Sequence, residues 1–489
     1  MLRLKNVDFN KDKVKTFVIP VCEDKDIHDN RLVSSIKKEI SGIKEFKGRK
    51  GDEVTLYNIS GKKIEKVIFI GIGKVETIDA ESLRAFAGSV VKKCIQKGFG
   101  EVMISVPSAG KIKIELQLML KSLMEGGYLG NHIFDKYKKD KKNKPLKRID
   151  FFVKADIAKK FNRLSSHVKK ICDSTIIARE WVNTPSNDKK PVDFTKSIAA
   201  LGKKAGLNIT VLDEKQLKMK KFGSLLAVAA GSINKPRMVI MEYSPKKPRK
   251  TVVLVGKGVT FDSGGINLKT SEGLNNMKMD MAGAAAVAST LIAVSNIKPD
   301  IKVVGVLPIV ENMPSGSAIR PGDVIKSFEG KTIEIGNTDA EGRLILIDAM
   351  AYAIKKYKPN VLIDVATLTG ACVVALGEKI AGVFSFDNKI ADSIVKSGER
   401  TFERCWQMPM PKDYKEFLKS EIADIKNIGN SRYGGAITAA MFLSEFTGDT
   451  KWAHIDIAGP AFINKGTAYC GAGGSGFGVR LLCDYLENI

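Results

Sequence analysis

Thr251-Val252-Val253-Leu254-Val255-Gly256-Lys257-Gly258-Val259-Thr260-Phe261-Asp262-Ser263-Gly264-Gly265 decides the fold. Its first five residues are apolar or β-branched without a break, as in a short buried strand. The chain then changes character, placing Lys257 and Asp262 among glycines in a loop at the strand's end. Moving outward, residues 302–307, 361–365, 382–386 and 454–457 repeat the strand pattern, and 282–295, 344–356 and 391–399 carry helical periodicity. Strands alternating with helices predict an α/β protein with a central mixed sheet flanked by helices. Ligands in such sheets gather where strands end and loops begin.

A chain of 489 residues exceeds one ordinary core, so two domains are expected. The reading is a smaller N-terminal α/β domain over 1–155, a connecting helix over 156–187 and a larger C-terminal catalytic domain over 188–489. In the first domain, strands are expected at 14–21, 66–70 and 101–106, and a helix at 80–97 with Asp79 as its N-cap. Gly71-Ile72-Gly73 lacks the third glycine of a dinucleotide fingerprint and reads as a tight strand-to-helix turn. The lysine-rich stretch 136–148 reads as an exposed loop near the domain boundary.

With 44% hydrophobic and 27% charged residues the chain is of the soluble globular type. The start, Met1-Leu2-Arg3-Leu4-Lys5-Asn6-Val7-Asp8, is mixed, so no signal peptide is expected. The longest apolar stretch, 281–297, is shorter than a bilayer span and rich in small residues, hence a tightly packed helix and no membrane. Seven scattered cysteines without C-x-x-C point to reduced thiols in a cytoplasmic protein. The net charge of +25 raises a nucleic-acid partner, but lysine spread along the whole chain favours a solvated basic surface.

The chemistry gathers in two places. Asn337-Thr338-Asp339-Ala340-Glu341-Gly342-Arg343-Leu344 packs two carboxylates and a guanidinium into eight residues, and its complement is Lys257, Asp262, Lys269 and Asp280. Singly, each acid could be a surface group or a helix cap. Together they form an oxygen-rich set without histidine, suited to hard divalent cations and metal-assisted hydrolysis. A water bridging two such ions loses a proton near neutral pH, giving a hydroxide nucleophile. A lysine can join as a ligand only when neutral, while a second lysine and an arginine stabilise an oxyanion.

These residues resemble the leucyl aminopeptidase family of cytosolic dinuclear zinc or manganese exopeptidases. The match lies in 255–269 with Met277-Lys278-Met279-Asp280, in 337–344, and in the flanking Ala366-Thr367-Leu368-Thr369-Gly370 and Asp456-Ile457-Ala458-Gly459-Pro460. It covers about 170–489. The resemblance implies that Lys257, Asp262, Asp280 and Glu341 bind a tighter metal, and Asp262, Asp339 and Glu341 a more exchangeable one. It makes Lys269 the residue that polarises the scissile carbonyl. Arg343 would hold a bicarbonate that relays a proton to the leaving amine. Met277, Thr367 and Gly370 would form an apolar pocket for a leucine-like first side chain. Also implied are peptide substrates with a free N-terminus, two Mn²⁺ or Zn²⁺ ions per subunit, and a homohexamer built as a dimer of trimers.

Among rivals, a serine hydrolase lacks G-x-S-x-G, and of four histidines only His454 falls near the motifs, where it reads as structural. H-E-x-x-H is absent. Because some bacterial members of the family also act as transcription or recombination factors, DNA binding is the second reading, though no helix-turn-helix or zinc-finger pattern is present.

Overall fold

Strand Thr251–Gly256 lies inside a nine-stranded mixed sheet and is paired in parallel on both sides, with Lys302–Asn312 and with Val361–Ala366. Its residues Val252 to Val255 are fully buried, as an unbroken apolar run requires. The order continues through parallel Trp452–Asp456 to antiparallel Ala381–Phe384 and then Cys405–Gln407. On the other side lie antiparallel Arg237–Tyr243 and Asn208–Leu212. Helix Glu341–Tyr357 packs on the face that carries Val253, Val255, Val304 and Val306. Helix Ala282–Ile297 covers the opposite face, where Gly305 lies against Leu291 and Val287. That helix is buried over most of its length, the packed helix expected for 281–297.

The structure, a computed structural model, describes residues Met1–Ile489 and divides into two compact units. One comprises Met1–Cys172 with Lys465–Gly471; the other, with the sheet above, comprises Asp173–Asn464 with Ala472–Ile489. The first has its own six-stranded sheet, ordered Leu2–Lys5, Arg148–Phe152, Glu101–Ser105, Val14–Cys22, Ile64–Gly73, Glu53–Tyr57, parallel except for the last. Its helix Ala80–Gln96 starts at Asp79, which accepts the Ser82 N–H at 2.7 Å while Ser82 Oγ accepts the Asp79 N–H at 2.8 Å. Residues 138–145 form an exposed loop outside helix and strand.

Three local expectations are corrected. Gly71-Ile72-Gly73 is not a turn into a helix but the end of strand Ile64–Gly73, paired with Val14–Cys22. Asp262 is not in a loop: Gly258–Asp262 is a short strand paired with the far end of Lys302–Asn312, with a register shift between Val259 and Asp262. Glycine and charge disguise it in the sequence, and tertiary pairing supplies its hydrogen bonds. Glu341 does not precede its helix but is the first residue of Glu341–Tyr357.

Candidate metal centre

The end of strand Thr251–Gly256 delivers Lys257 into the interior. Its backbone is fixed by the Lys257 N–H to Val365 O (3.1 Å) and by the Ala284 N–H to Lys257 O (2.8 Å). Lys257 Nζ donates to Thr367 O at 2.7 Å and lies 2.8 Å from both Asp280 Oδ1 and Glu341 Oε1. Asp280 closes the turn Met277–Met279 just before helix Ala282–Ile297, and Thr367 Oγ1 donates to its Oδ1 at 2.7 Å. All of these groups are buried.

Lys269 answers the second pair, 2.8 Å from Asp262 Oδ2 and 2.5 Å from Asp339 Oδ1. The loop reaches this position through Gly264 and Gly265, whose φ values of +90° and +67° side chains rarely adopt. Asp262 Oδ1 accepts the Gly264 N–H at 2.9 Å and Asn312 Nδ2 at 2.8 Å. The site thus alternates carboxylate and ammonium, with Asp262, Asp280 and Glu341 presenting oxygens within 4.8 Å of one another.

The electrostatics are those of a crowded acidic cavity. Burial, reinforced by Glu341 and Asp262, pushes Asp280 well above the usual carboxylate range against the pull of Lys257. Burial and then Asp262 raise Glu341 and Asp339 as well. Burial alone would lower the two lysines, but the carboxylates together hold both above the ordinary value. Asp280 Oδ2 and Glu341 Oε2 are buried with no hydrogen-bond partner. Unmet acceptors of this kind are costly, and a divalent cation satisfies them. The oxygen-rich set fits hard or borderline metal ions.

Arg343 sits in the first turn of helix Glu341–Tyr357, buried, donating through Nη1 to Asn427 O at 2.8 Å. Burial lowers it to about 10, and its Nε has no partner. Thr367 engages Lys257 through its carbonyl oxygen and Asp280 through its hydroxyl. Met277 is half-buried in the same turn as Asp280, while Gly370 starts helix Gly370–Leu376 with open space beside it. No bond ties Met277 or Gly370 to the carboxylates.

Asn312 and Asn427 hold site residues in place and were missed by the sequence reading. Asn427 accepts the Gly336 N–H at 2.7 Å and donates to Asn337 O at 2.7 Å, which fixes the loop carrying Asp339 just before the helix that bears Arg343. Nothing local marks either asparagine, because each acts on residues distant in the chain. His454 lies in mid-strand, Nδ1 2.6 Å from Asp364 Oδ1, whose other oxygen accepts Trp452 Nε1 at 2.7 Å. It is a buried structural group.

Comparison with known proteins adds the lineage. Residues 176–483 match the model of the cytosol aminopeptidase family, catalytic domain, and 24–141 match that family's N-terminal domain. A probable cytosol aminopeptidase of Chlorobium luteolum is 40% identical over 500 residues, covering 98% of this chain and 96% of its own. One from Aquifex aeolicus is 39% identical over 460 residues, covering 93% and 91%. Among solved structures, a mutant of tomato leucine aminopeptidase is 29% identical with a TM-score of 0.88, covering 100% of this chain and 96% of its own. The bottromycin maturation enzyme BotP in complex with Mn is 32% identical with a TM-score of 0.86, covering 97% and 99%.

Proposed function

Since this chain belongs to the cytosol aminopeptidase family of metal-dependent peptidases, we propose that it is a dinuclear exopeptidase releasing leucine-like N-terminal residues from peptides. The observation that carries the reading is the buried carboxylate cluster with two unsatisfied oxygens, Asp280 Oδ2 and Glu341 Oε2. Lys257, Asp262, Asp280, Asp339 and Glu341 would hold two divalent cations, Mn²⁺ or Zn²⁺. Such ions supply Lewis acidity, a water acidic enough to attack near neutral pH, and a seat for the substrate's free α-amine.

The protein's own groups do the rest. Lys269, at the more open side of the cluster, donates to the scissile carbonyl oxygen as it gains charge. Arg343 stays cationic at neutral pH and has Nε unspent, so it would hold bicarbonate for proton transfer. Every nearby carboxylate being committed to cations, an external base fits better than a protein one. Met277, Thr367 and Gly370 would border the first side chain. The working assembly would be a cytoplasmic homohexamer, a dimer of trimers.

The test is hydrolysis of leucine p-nitroanilide by chelator-stripped protein given Mn²⁺ or Zn²⁺, beside the N-acetylated substrate. Restored activity on the free-amine compound alone is expected. Folded protein that is inactive with every divalent ion would overturn the proposal.

A further inference from the structure

In the N-terminal unit, the chain leaves strand Val14–Cys22 for the edge strand Glu53–Tyr57 and the neighbour Ile64–Gly73 on one side, and then returns to Glu101–Ser105 on the other. The carboxyl ends of Val14–Cys22 and Glu101–Ser105 therefore form a switch point, where open α/β sheets leave a crevice. A cavity of about 350 Å³ occupies this place, lined by segments that follow three parallel strands. Val33, Val106, Leu116, Phe152 and Ile157 give it an apolar wall.

Its polar equipment is specific. Ser105, 1% exposed, is among the lining residues, and its buried Oγ has no hydrogen-bond partner. A buried hydroxyl left so is unfavourable. His28 is also buried, and burial lowers its pKa to about 4, so the ring is neutral. With Nε2 donating to Pro20 O at 2.9 Å, its Nδ1 remains an acceptor. Charges of both signs stand at the mouth: Lys154, 3.2 Å from Asp29 Oδ1, with Lys160 and Asp156.

A phosphate dianion is poorly served here. The Asp29 N–H is spent on Ser108 Oγ at 2.9 Å, the Ser108 N–H on Ile27 O at 2.8 Å, and the Leu32 and Val33 N–H groups on Asn30. Two carboxylates would also oppose it. We propose that this cavity binds a free amino acid with a bulky apolar or aromatic side chain. The side chain lies against Phe152 and Ile157, and the ammonium and carboxylate meet the opposed charges at the mouth. All lining residues belong to the N-terminal unit, so the inference is independent of the peptidase reading.

Equilibrium dialysis of L-phenylalanine and L-leucine against chelator-stripped full-length protein tests it, with N-acetylphenylalanine, phenylalaninamide and AMP as competitors. One saturable site is expected, which neither capped amino acid displaces. Binding should weaken at least about tenfold in Lys154→Glu/Lys160→Glu, both exposed, and stay unchanged in Asp280→Ala. Ser105→Leu should also abolish binding; should it fail to fold, the lysine variants decide. No saturation by about 10 mM, displacement by AMP, or indifference to the lysine reversal would each overturn the proposal.

Discussion

Lys257 and Lys269 each face two carboxylates, yet the two lysines differ in surroundings. Lys257 is enclosed, its Nζ bonded to Thr367 O and set between Asp280 and Glu341. Lys269 keeps 17% of its side chain exposed and faces Asp339, itself partly open. The enclosed lysine suits a fixed ligand and the open one a donor to substrate. Asp280→Ala should therefore lose bound metal together with activity. Lys269→Ala should retain both ions by elemental analysis while kcat drops by about 10²–10³. Equal metal loss in the two variants would refute the division of roles.

The helices matter at the next scale because the site hangs from their first turns. Gly283, in the first turn of Ala282–Ile297, has no room for a Cβ, which would lie 2.1 Å from Val365 O. Gly283→Ala must push the helix, and with it the turn bearing Asp280, away from strand Val361–Ala366. A loss of about 1–3 kcal/mol in urea melts and weaker metal retention are expected. Unchanged stability would mean that the helix can slide freely. In Glu341–Tyr357, buried Asp348 accepts the Leu225 N–H at 3.0 Å and the Phe328 N–H at 2.8 Å. Burial nevertheless raises it from 3.8 to about 7. Between those values the folded chain keeps a proton that the unfolded chain has released, so its contribution is full below pH 3.8 and is lost as pH rises toward 7. Asp348→Asn cannot ionise, so wild type should lose up to about 4 kcal/mol relative to it between pH 4 and 8. Parallel melts across that range would sink the assignment. Legibility in sequence follows the same physics. The apolar run at Thr251–Gly256 and the period of Ala282–Ile297 announce themselves, because burial dictates their composition. Gly258–Asp262 and the edge strand Asn208–Leu212 do not, since partners elsewhere in the chain make them strands. The acidic and basic site residues were legible because they cluster in two short segments. Asn312 and Asn427 lay hidden because their bonds span tens of residues.

Across the whole molecule, a net charge of +25 coexists with seven buried cysteines, none in a disulfide. A surface of dispersed lysines attracts polyanions without reading them. Gel shifts with duplex DNA should show weak, sequence-indifferent binding at low salt that vanishes near 0.2 M. A discrete complex surviving that salt would revive a dedicated DNA-binding role. The pairing of Thr251–Gly256 with Val361–Ala366, and of Arg343 with Asn427, carries a further consequence in the time domain. A ribosome adding about 5–20 residues per second spends roughly ten to thirty seconds between Lys257 and Asn427. For the first part of that interval the nascent chain holds a bare apolar strand, and until its end Arg343 lacks the Asn427 carbonyl. Chaperones that shield apolar strands therefore meet this chain before its site can form.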